Sequence, residues 1–210
     1  MKKIIAVAII VLVAGQLFAQ KTIRISELNN QEVKTVFKKN KRDGFYGALS
    51  SGYSPINNSN GAVFSARACW IMDHWFAVGV GGTGFASNVD KFDYINFSSS
   101  SENFLGGAYG GLVFEPILMP LKPIHVSFPI LVGGGAVASL TDEYYYDYYP
   151  LDDYFFVVEP GIEIELNLTK WLRASIFATY RYTSDVEIDQ IASDALRTYS
   201  TGLALKVGLF

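Results

Sequence analysis

The chain has 210 residues, enough for one domain, and a formal net charge of −3. Half of its residues are hydrophobic and only 18% are charged, against about 25% in a typical soluble domain. From residue 44 onward there are 8 basic and 17 acidic residues, which argues against nucleic acid as a partner. The single cysteine, Cys69, excludes an internal disulfide.

The first residues have the pattern of a secretory signal. Lys2 and Lys3 precede an apolar run from Ile4 to Phe18, and the small residue Ala19 follows it. This run is shorter than the roughly 18 to 20 residues that a membrane-spanning helix needs. We therefore predict a signal peptide over residues 1–19, and we expect any membrane crossing to use strands.

A basic segment separates this signal from the rest of the chain. Residues 21–43 carry seven Lys or Arg and three acidic residues, a net charge of +4. We predict a periplasmic N-terminal segment over residues 20–43, with a short amphipathic helix over 26–40 that has Ser26 as its N-cap. Its basic residues either contact anionic lipid headgroups or belong to a solvated linker.

The remainder of the chain, residues 44–210, reads as eight strands. Their predicted ranges are 44–54, 61–72, 75–87, 103–115, 124–139, 154–168, 171–184 and 197–210. Short connections at 73–74 and 169–170, and a longer proline-bracketed one at 116–123, alternate with polar connections at 54–60, 88–103, 140–153 and 185–197. Short turns at one end and long polar loops at the other are typical of outer-membrane barrels. This pattern predicts an all-β fold: a closed antiparallel up-and-down eight-stranded transmembrane β-barrel with both termini on the short-turn, periplasmic side.

Side chains with a period of two indicate which face of each strand meets lipid. In the segment 156–168 the even positions are apolar, while Glu159, Glu163 and Glu165 share the odd face. An arginine at the bilayer midplane costs about 2–4 kcal/mol, so Arg173 and Arg181 are expected to face the lumen. A water-soluble barrel of the lipocalin type is the alternative, and it would reverse the two faces.

The inward-facing ionisable residues form a predicted charge ladder inside the barrel, in which Glu165 pairs with Arg173. Its role is structural, because opposite charges neutralise each other within a narrow, packed lumen. The ladder consists of Arg67, Glu115, Glu159, Glu163, Glu165, Arg173 and Arg181.

Several short segments carry a family resemblance. They are the signal end Leu17-Phe18-Ala19-Gln20, the turn Asp73-His74-Trp75-Phe76, the segment 125–129 and the terminal Phe210. With its eight strands, the chain resembles the small bacterial outer-membrane β-barrel proteins related to the OmpA transmembrane domain and OmpX, in the form found in Bacteroidota. The resemblance implies an outer-membrane location, contact with outer-membrane lipids and lipopolysaccharide, and recognition of Phe210 by the barrel-assembly machinery. Phe210 departs from the family pattern because it shares parity with Lys206 rather than with the apolar residues of the last strand.

No catalytic, cofactor or metal site is predicted. The glycine run 79–84 lies in a predicted strand rather than a phosphate-binding loop, and the acidic residues of 142–153 lack the spacing of a calcium-binding loop. The leading hypothesis is a non-enzymatic outer-membrane protein with a structural role, or with a surface-recognition role through loops that bind an unknown extracellular ligand.

Two alternatives remain open. His125 and Ser127 have a His-x-Ser spacing similar to that of outer-membrane lipid A deacylases, which use such residues for nucleophilic attack on an ester. A narrow channel or a solute-binding barrel is the other alternative. The two differ from the leading hypothesis in needing an accessible serine or an open lumen.

Overall fold

The computed structural model describes residues 43–57, 59–87, 104–140, 153–188 and 191–210. The predicted signal peptide, the predicted helix over 26–40 and the tyrosine-rich loop 141–152 lie outside these residues. Within the described part the strands are β1 (Gly44–Tyr53), β2 (Gly61–Met72), β3 (Phe76–Ser87), β4 (Phe104–Leu118), β5 (Ile124–Ser127), β6 (Ile130–Leu140), β7 (Asp153–Asn167), β8 (Leu172–Thr183) and β9 (Thr198–Leu209).

These strands form a closed antiparallel barrel. Apart from β5 and β6, consecutive strands pair with each other, and the last strand closes on the first, with Phe45 of β1 opposite Leu209 of β9. β5 and β6 both pair with β4 and with β7, so together they are one strand of the barrel. The predicted eight-stranded barrel is therefore confirmed. Closure leaves no strand edge unpaired, which a lipid environment requires.

The fifth barrel strand is interrupted at Phe128 and Pro129, although the sequence predicts one continuous strand there. Proline has no backbone N–H to donate to the ladder. Two backbone hydrogen bonds bridge the break: the Phe128 N–H donates to Pro116 O at 2.9 Å, and the Gly161 N–H donates to Pro129 O at 2.8 Å. β4 also continues to Leu118, past its predicted end at residue 115.

Short turns and long connections lie at opposite ends of the barrel. We call the end with the turns 73–75, 119–123 and 168–171 the turn end, and the end with the connections 54–60 and 184–197 the loop end. Asp73 and His74 have left-handed φ values of 53° and 66°, a conformation that Asp and His tolerate better than most residues.

The turn between β7 and β8 shifts one predicted register. Asn167 lies opposite Arg173, and Glu165 lies opposite Ser175, so the predicted position of Glu165 directly opposite Arg173 is wrong by two residues, although the two side chains still form an ion pair. The faces are nevertheless right, because a shift of two residues preserves the side on which each side chain lies.

The barrel wall separates apolar from ionised side chains. On β7, Ile162, Ile164 and Leu166 point outward, and the Ile164 side chain is 47% exposed. The intervening Glu163 is only 3% exposed, and Glu165 is fully buried. This is the predicted orientation, and it is opposite to that of a soluble barrel. The described residues contain no helix that is long and apolar enough to span a bilayer.

Candidate functional site

The barrel interior near the turn end holds a group of ionised side chains that we call the turn-end charge cluster. Its members occupy inward positions on five strands, and two of them, Glu163 and Glu165, are alternate residues of β7. The pleat of each strand therefore directs these side chains into the lumen. The cluster consists of Arg67, Glu115, Glu163, Glu165, Arg173 and Lys206.

Lys206 lies at the centre of this cluster. Its ammonium donates to Glu115 Oε1 at 2.6 Å and to Glu165 Oε1 at 2.6 Å, and it lies 2.8 Å from Glu163 Oε2. The residue is 1% exposed, and its three N–H donors match three carboxylates. Oxygens of these carboxylates lie within 4.8 Å of one another, a donor set that could hold a metal ion. The lysine ammonium supplies the cation at this position.

Two arginines complete the neutralisation. Arg67 Nη2 donates to both oxygens of Glu163, at 2.6 and 2.7 Å. Arg173 Nη1 donates to Glu165 Oε2 at 3.4 Å, and its guanidinium lies 3.8 Å from the ring centroid of Phe210. Three carboxylates and three basic side chains give the cluster a formal charge of zero. Such balance is needed because an uncompensated charge in a buried site is costly.

A separate ion pair lies closer to the loop end. Arg181 Nε is 3.6 Å from Glu159 Oε2, and the Tyr109 hydroxyl donates to the same carboxylate oxygen. The Arg181 guanidinium also stacks over Phe85 and Tyr109, at 4.8 and 5.0 Å from the ring centroids. This ion pair also has a net charge of zero, and two aromatic rings cover its guanidinium.

The structure places all seven residues of the predicted ladder in the interior but divides them between these two groups. Sequence reasoning missed Lys206 at the centre of the larger group, and it missed the Tyr46 and Tyr109 hydroxyls that donate to Glu115 and Glu159. The signal for Lys206 was present, because this residue has the parity opposite to the apolar positions of β9.

A small cavity lies between the two ionised groups. Its volume is about 60 Å³, and Arg67, Glu159, Glu163, Thr83 and Thr179 are among the residues that line it. Arg67 Nε and Thr179 Oγ1 have no hydrogen-bond partner among the described residues. Such a space accommodates a few water molecules and is far smaller than a solute pathway.

Apolar side chains pack together in the barrel interior near the loop end. Three side chains of the connections are buried against strand residues near the loop end. They are Ile56 of the connection 54–60, and Val186 and Leu196 of the connection 184–197. Arg197 holds the longer connection in place: its Nε donates to Thr183 O at 3.0 Å, and its guanidinium pairs with Asp185. We call Ile56, Val186 and Leu196 the loop-end plug.

The His-x-Ser pair lies inside the barrel at the turn end. His125 Nε2 is 3.0 Å from Glu165 Oε2, which ties the imidazole to the turn-end charge cluster. His125 is 1% exposed and Ser127 is 0% exposed. Both side chains are therefore separated from the outer surface of the barrel by its wall.

The terminal Phe210 also faces inward. Its ring stacks on Tyr46 with the ring centroids 6.0 Å apart. In the sequence, Phe210 has the parity opposite to the apolar residues of the last strand. The structure agrees, because the Phe210 ring points inward and covers the Arg173 guanidinium.

A solved structure shares this fold, whereas family models and curated proteins give no match to the sequence. No protein-family model matches the chain, and no curated protein matches it significantly. Neisserial surface protein A is similar with a TM-score of 0.54 at 8% identity, over 80% of this chain and 96% of that one. The attachment invasion locus protein Ail of Yersinia pestis, in complex with the heparin analogue sucrose octasulfate, has a TM-score of 0.49 at 10% identity, over 80% and 99% of the two chains. At these identities the likeness concerns the fold alone.

Proposed function

We propose that the chain is a non-enzymatic β-barrel protein of the bacterial outer membrane, with a structural or surface-recognition role at its loop end. The observation that carries this proposal is the inverted distribution of side chains. Aliphatic groups cover the barrel wall, whereas the ionised groups of β7, β8 and β9 are buried inside it. In water, the aliphatic groups would be exposed to solvent and the ionised groups would be held away from it. A bilayer favours both placements.

Aromatic residues support a membrane of ordinary outer-membrane thickness. Trp171 near the turn end and Tyr182 near the loop end are both exposed. From Trp171, in the turn before β8, to Tyr182 there are eleven residues, which at about 3.4 Å each and a tilt of about 40° rise about 29 Å along the barrel axis. This spacing suits aromatic girdles on either side of an apolar band of about 25 Å.

The proposal extends to topology and export. Residues 1–19 are removed as a signal peptide, residues 20–43 remain in the periplasm, and residues 44–210 form the barrel. Both barrel termini lie at the turn end, which we assign to the periplasm, and the loop end then faces outward toward lipopolysaccharide. Phe210 is the residue through which the barrel-assembly machinery recognises the chain.

The interior argues for a role at the surface. The turn-end charge cluster and the loop-end plug occupy both ends of the lumen, with a cavity of about 60 Å³ between them. This arrangement disfavours solute passage, and the burial of Ser127 disfavours hydrolysis of a lipid ester. The loop 140–153, which contains five acidic residues and several tyrosines, is the proposed contact with an extracellular ligand.

The proposal is tested by heat-modifiable migration on gels together with protease mapping on intact cells. We expect the folded protein to migrate differently from the boiled protein, and we expect external protease to cut within 140–153. The same protease should leave the turn 119–123 intact unless the outer membrane is permeabilised. Cleavage at 119–123 in intact cells would contradict the proposed orientation, and migration that heating does not change would contradict the barrel in the membrane.

A further inference from the structure

We infer that two neighbouring turns at the turn end bind the headgroup of an anionic glycerophospholipid. The surface, which we call the basic turn patch, consists of Met119, Leu121, Lys122, Leu168, Lys170 and Trp171. This inference rests on the proposed membrane location and names a lipid partner for the periplasmic side of the barrel.

The two turns are joined through the backbone. Ile124 lies opposite Leu166 in the β5–β7 ladder, which brings the turn 119–123 beside the turn 168–171. Asn167 ties them together: its N–H donates to Pro123 O at 2.9 Å, and its side-chain amide donates to Lys122 O at 2.8 Å. The patch is therefore one continuous surface.

The apolar part of the patch is unusually open. Leu121, at the tip of its turn, is 82% exposed, and Met119, Leu168 and Trp171 are each about half exposed. Contiguous apolar side chains at the surface indicate a binding or membrane-contact site. Because the patch continues the aliphatic barrel wall, its apolar side chains are placed to enter the region just below the lipid headgroups.

The charged part of the patch selects the headgroup. Lys122 and Lys170 are the exposed lysines of the described residues, and neither ammonium forms an ion pair with a carboxylate within that part of the chain. The basic residues of the lumen are, in contrast, buried and neutralised. A lysine beside exposed leucines can lay its stem on apolar surface and present its ammonium at phosphate depth. Two unpaired positive charges favour a headgroup with net negative charge over a zwitterionic one.

Trp171 provides a direct reporter of this lipid. The experiment uses the full chain reconstituted in phosphatidylcholine vesicles, with Trp70 and Trp75 replaced by phenylalanine, and measures the quenching of Trp171 by phosphatidylglycerol with brominated acyl chains. Quenching by brominated phosphatidylcholine gives the reference. The test variant is K122Q/K170Q, and the matched control K122R/K170R keeps both charges. A second control, R197Q, removes an exposed cation at the loop end.

We expect phosphatidylglycerol to be enriched beside Trp171 in the parent protein. Each lysine-to-glutamine change should lower the preference over phosphatidylcholine by about fivefold, and the double change by about 30-fold. K122R/K170R and R197Q should retain the preference, and added salt should weaken it. Equal quenching by the two lipids in the parent, or an unchanged preference in K122Q/K170Q, would overturn the inference. Quenching of Trp70 by brominated phosphatidylcholine, measured with Trp75 and Trp171 replaced by phenylalanine, tests the proposed function separately. Trp70 lies on the outer face of β2, so the absence of quenching there would mean that the barrel wall does not meet lipid.

Discussion

Replacing Lys206 by methionine tests the physical account of the lumen. The ammonium contacts Glu115, Glu163 and Glu165 at 2.6 to 2.8 Å inside the barrel. Without it, the three carboxylates are balanced by two arginines, and the turn-end charge cluster acquires a formal charge of −1. Removing one partner of a buried ion pair typically costs about 3–5 kcal/mol. That is a large share of a folding free energy that is commonly about 5–15 kcal/mol.

The free energy of unfolding can be measured by urea titration of the protein folded into phospholipid vesicles, with heat-modifiable migration as the readout of the folded fraction. The exposed Lys170→Met is the matched control in phosphatidylcholine vesicles, which lack the anionic headgroup assigned to this residue, and we expect it to change stability by no more than about 0.5 kcal/mol. The double variant K206M/E115Q restores a neutral cluster and should recover about 1–3 kcal/mol relative to the sum of the single changes. If K206M behaved like K170M, or if E115Q gave no recovery, the charge balance would not stabilise the barrel as argued.

Four further outcomes are expected. Ile164→Lys should cost about 2–4 kcal/mol in vesicle-folding titrations, because the side chain faces the bilayer; a cost near zero would contradict that orientation. Leu196→Ala should lose about 2–5 kcal/mol by removing part of the loop-end plug, and limited proteolysis should then cut the connection 184–197 faster. Gly133→Ala should destabilise the barrel by about 1–3 kcal/mol, since the new Cβ would lie 2.0 Å from a backbone oxygen of the neighbouring strand. In the control Gly84→Ala the new Cβ meets nothing within 4 Å, so its urea midpoint of unfolding should equal or exceed that of the parent. Purified protein should release no fatty acid from lipid A, and hydrolysis that Ser127→Ala abolishes would instead support the deacylase alternative.

The alternation of side chains made the barrel predictable from sequence. On β7 the aliphatic and glutamate positions differ by one residue, so parity alone assigned their faces, and the structure agrees. The cost of placing Arg173 and Arg181 in lipid fixed the sense of those faces. Both are local arguments, and they needed no knowledge of how the strands pair.

Register and strand continuity were beyond such arguments. Parity leaves a shift of two residues undetermined, so the sequence predicts Arg173 opposite Glu165, whereas Ser175 occupies that position in the barrel. The break at Pro129 is bridged by a hydrogen bond from the Gly161 N–H of β7 and by one from the Phe128 N–H to the carbonyl of Pro116, and only the closed barrel supplies these partners.

The loop-end plug escaped prediction for a different reason. Val186 and Leu196 lie in a connection without periodic pattern, and their burial follows from the way the connection folds back over the strands. The inward position of Lys206 was predictable, since the parity of β9 separates this residue from the outward-facing leucines. A charge count over all inward positions would have shown that the ladder lacked one cation.

The central claim is that aliphatic side chains meet hydrocarbon while their neighbours along the strand point into a closed interior. It is tested most directly on β9, by placing single nitroxide-labelled cysteines at Leu203, Ala204 and Leu205 in a Cys69→Ala background and measuring collision with oxygen and with a water-soluble nickel complex in vesicles. Labels at 203 and 205 should collide readily with oxygen and rarely with nickel, and the label at the buried position 204 should be immobilised and meet neither freely. Ready collision with nickel at 203 and 205, or preferential collision with oxygen at 204, would contradict the account.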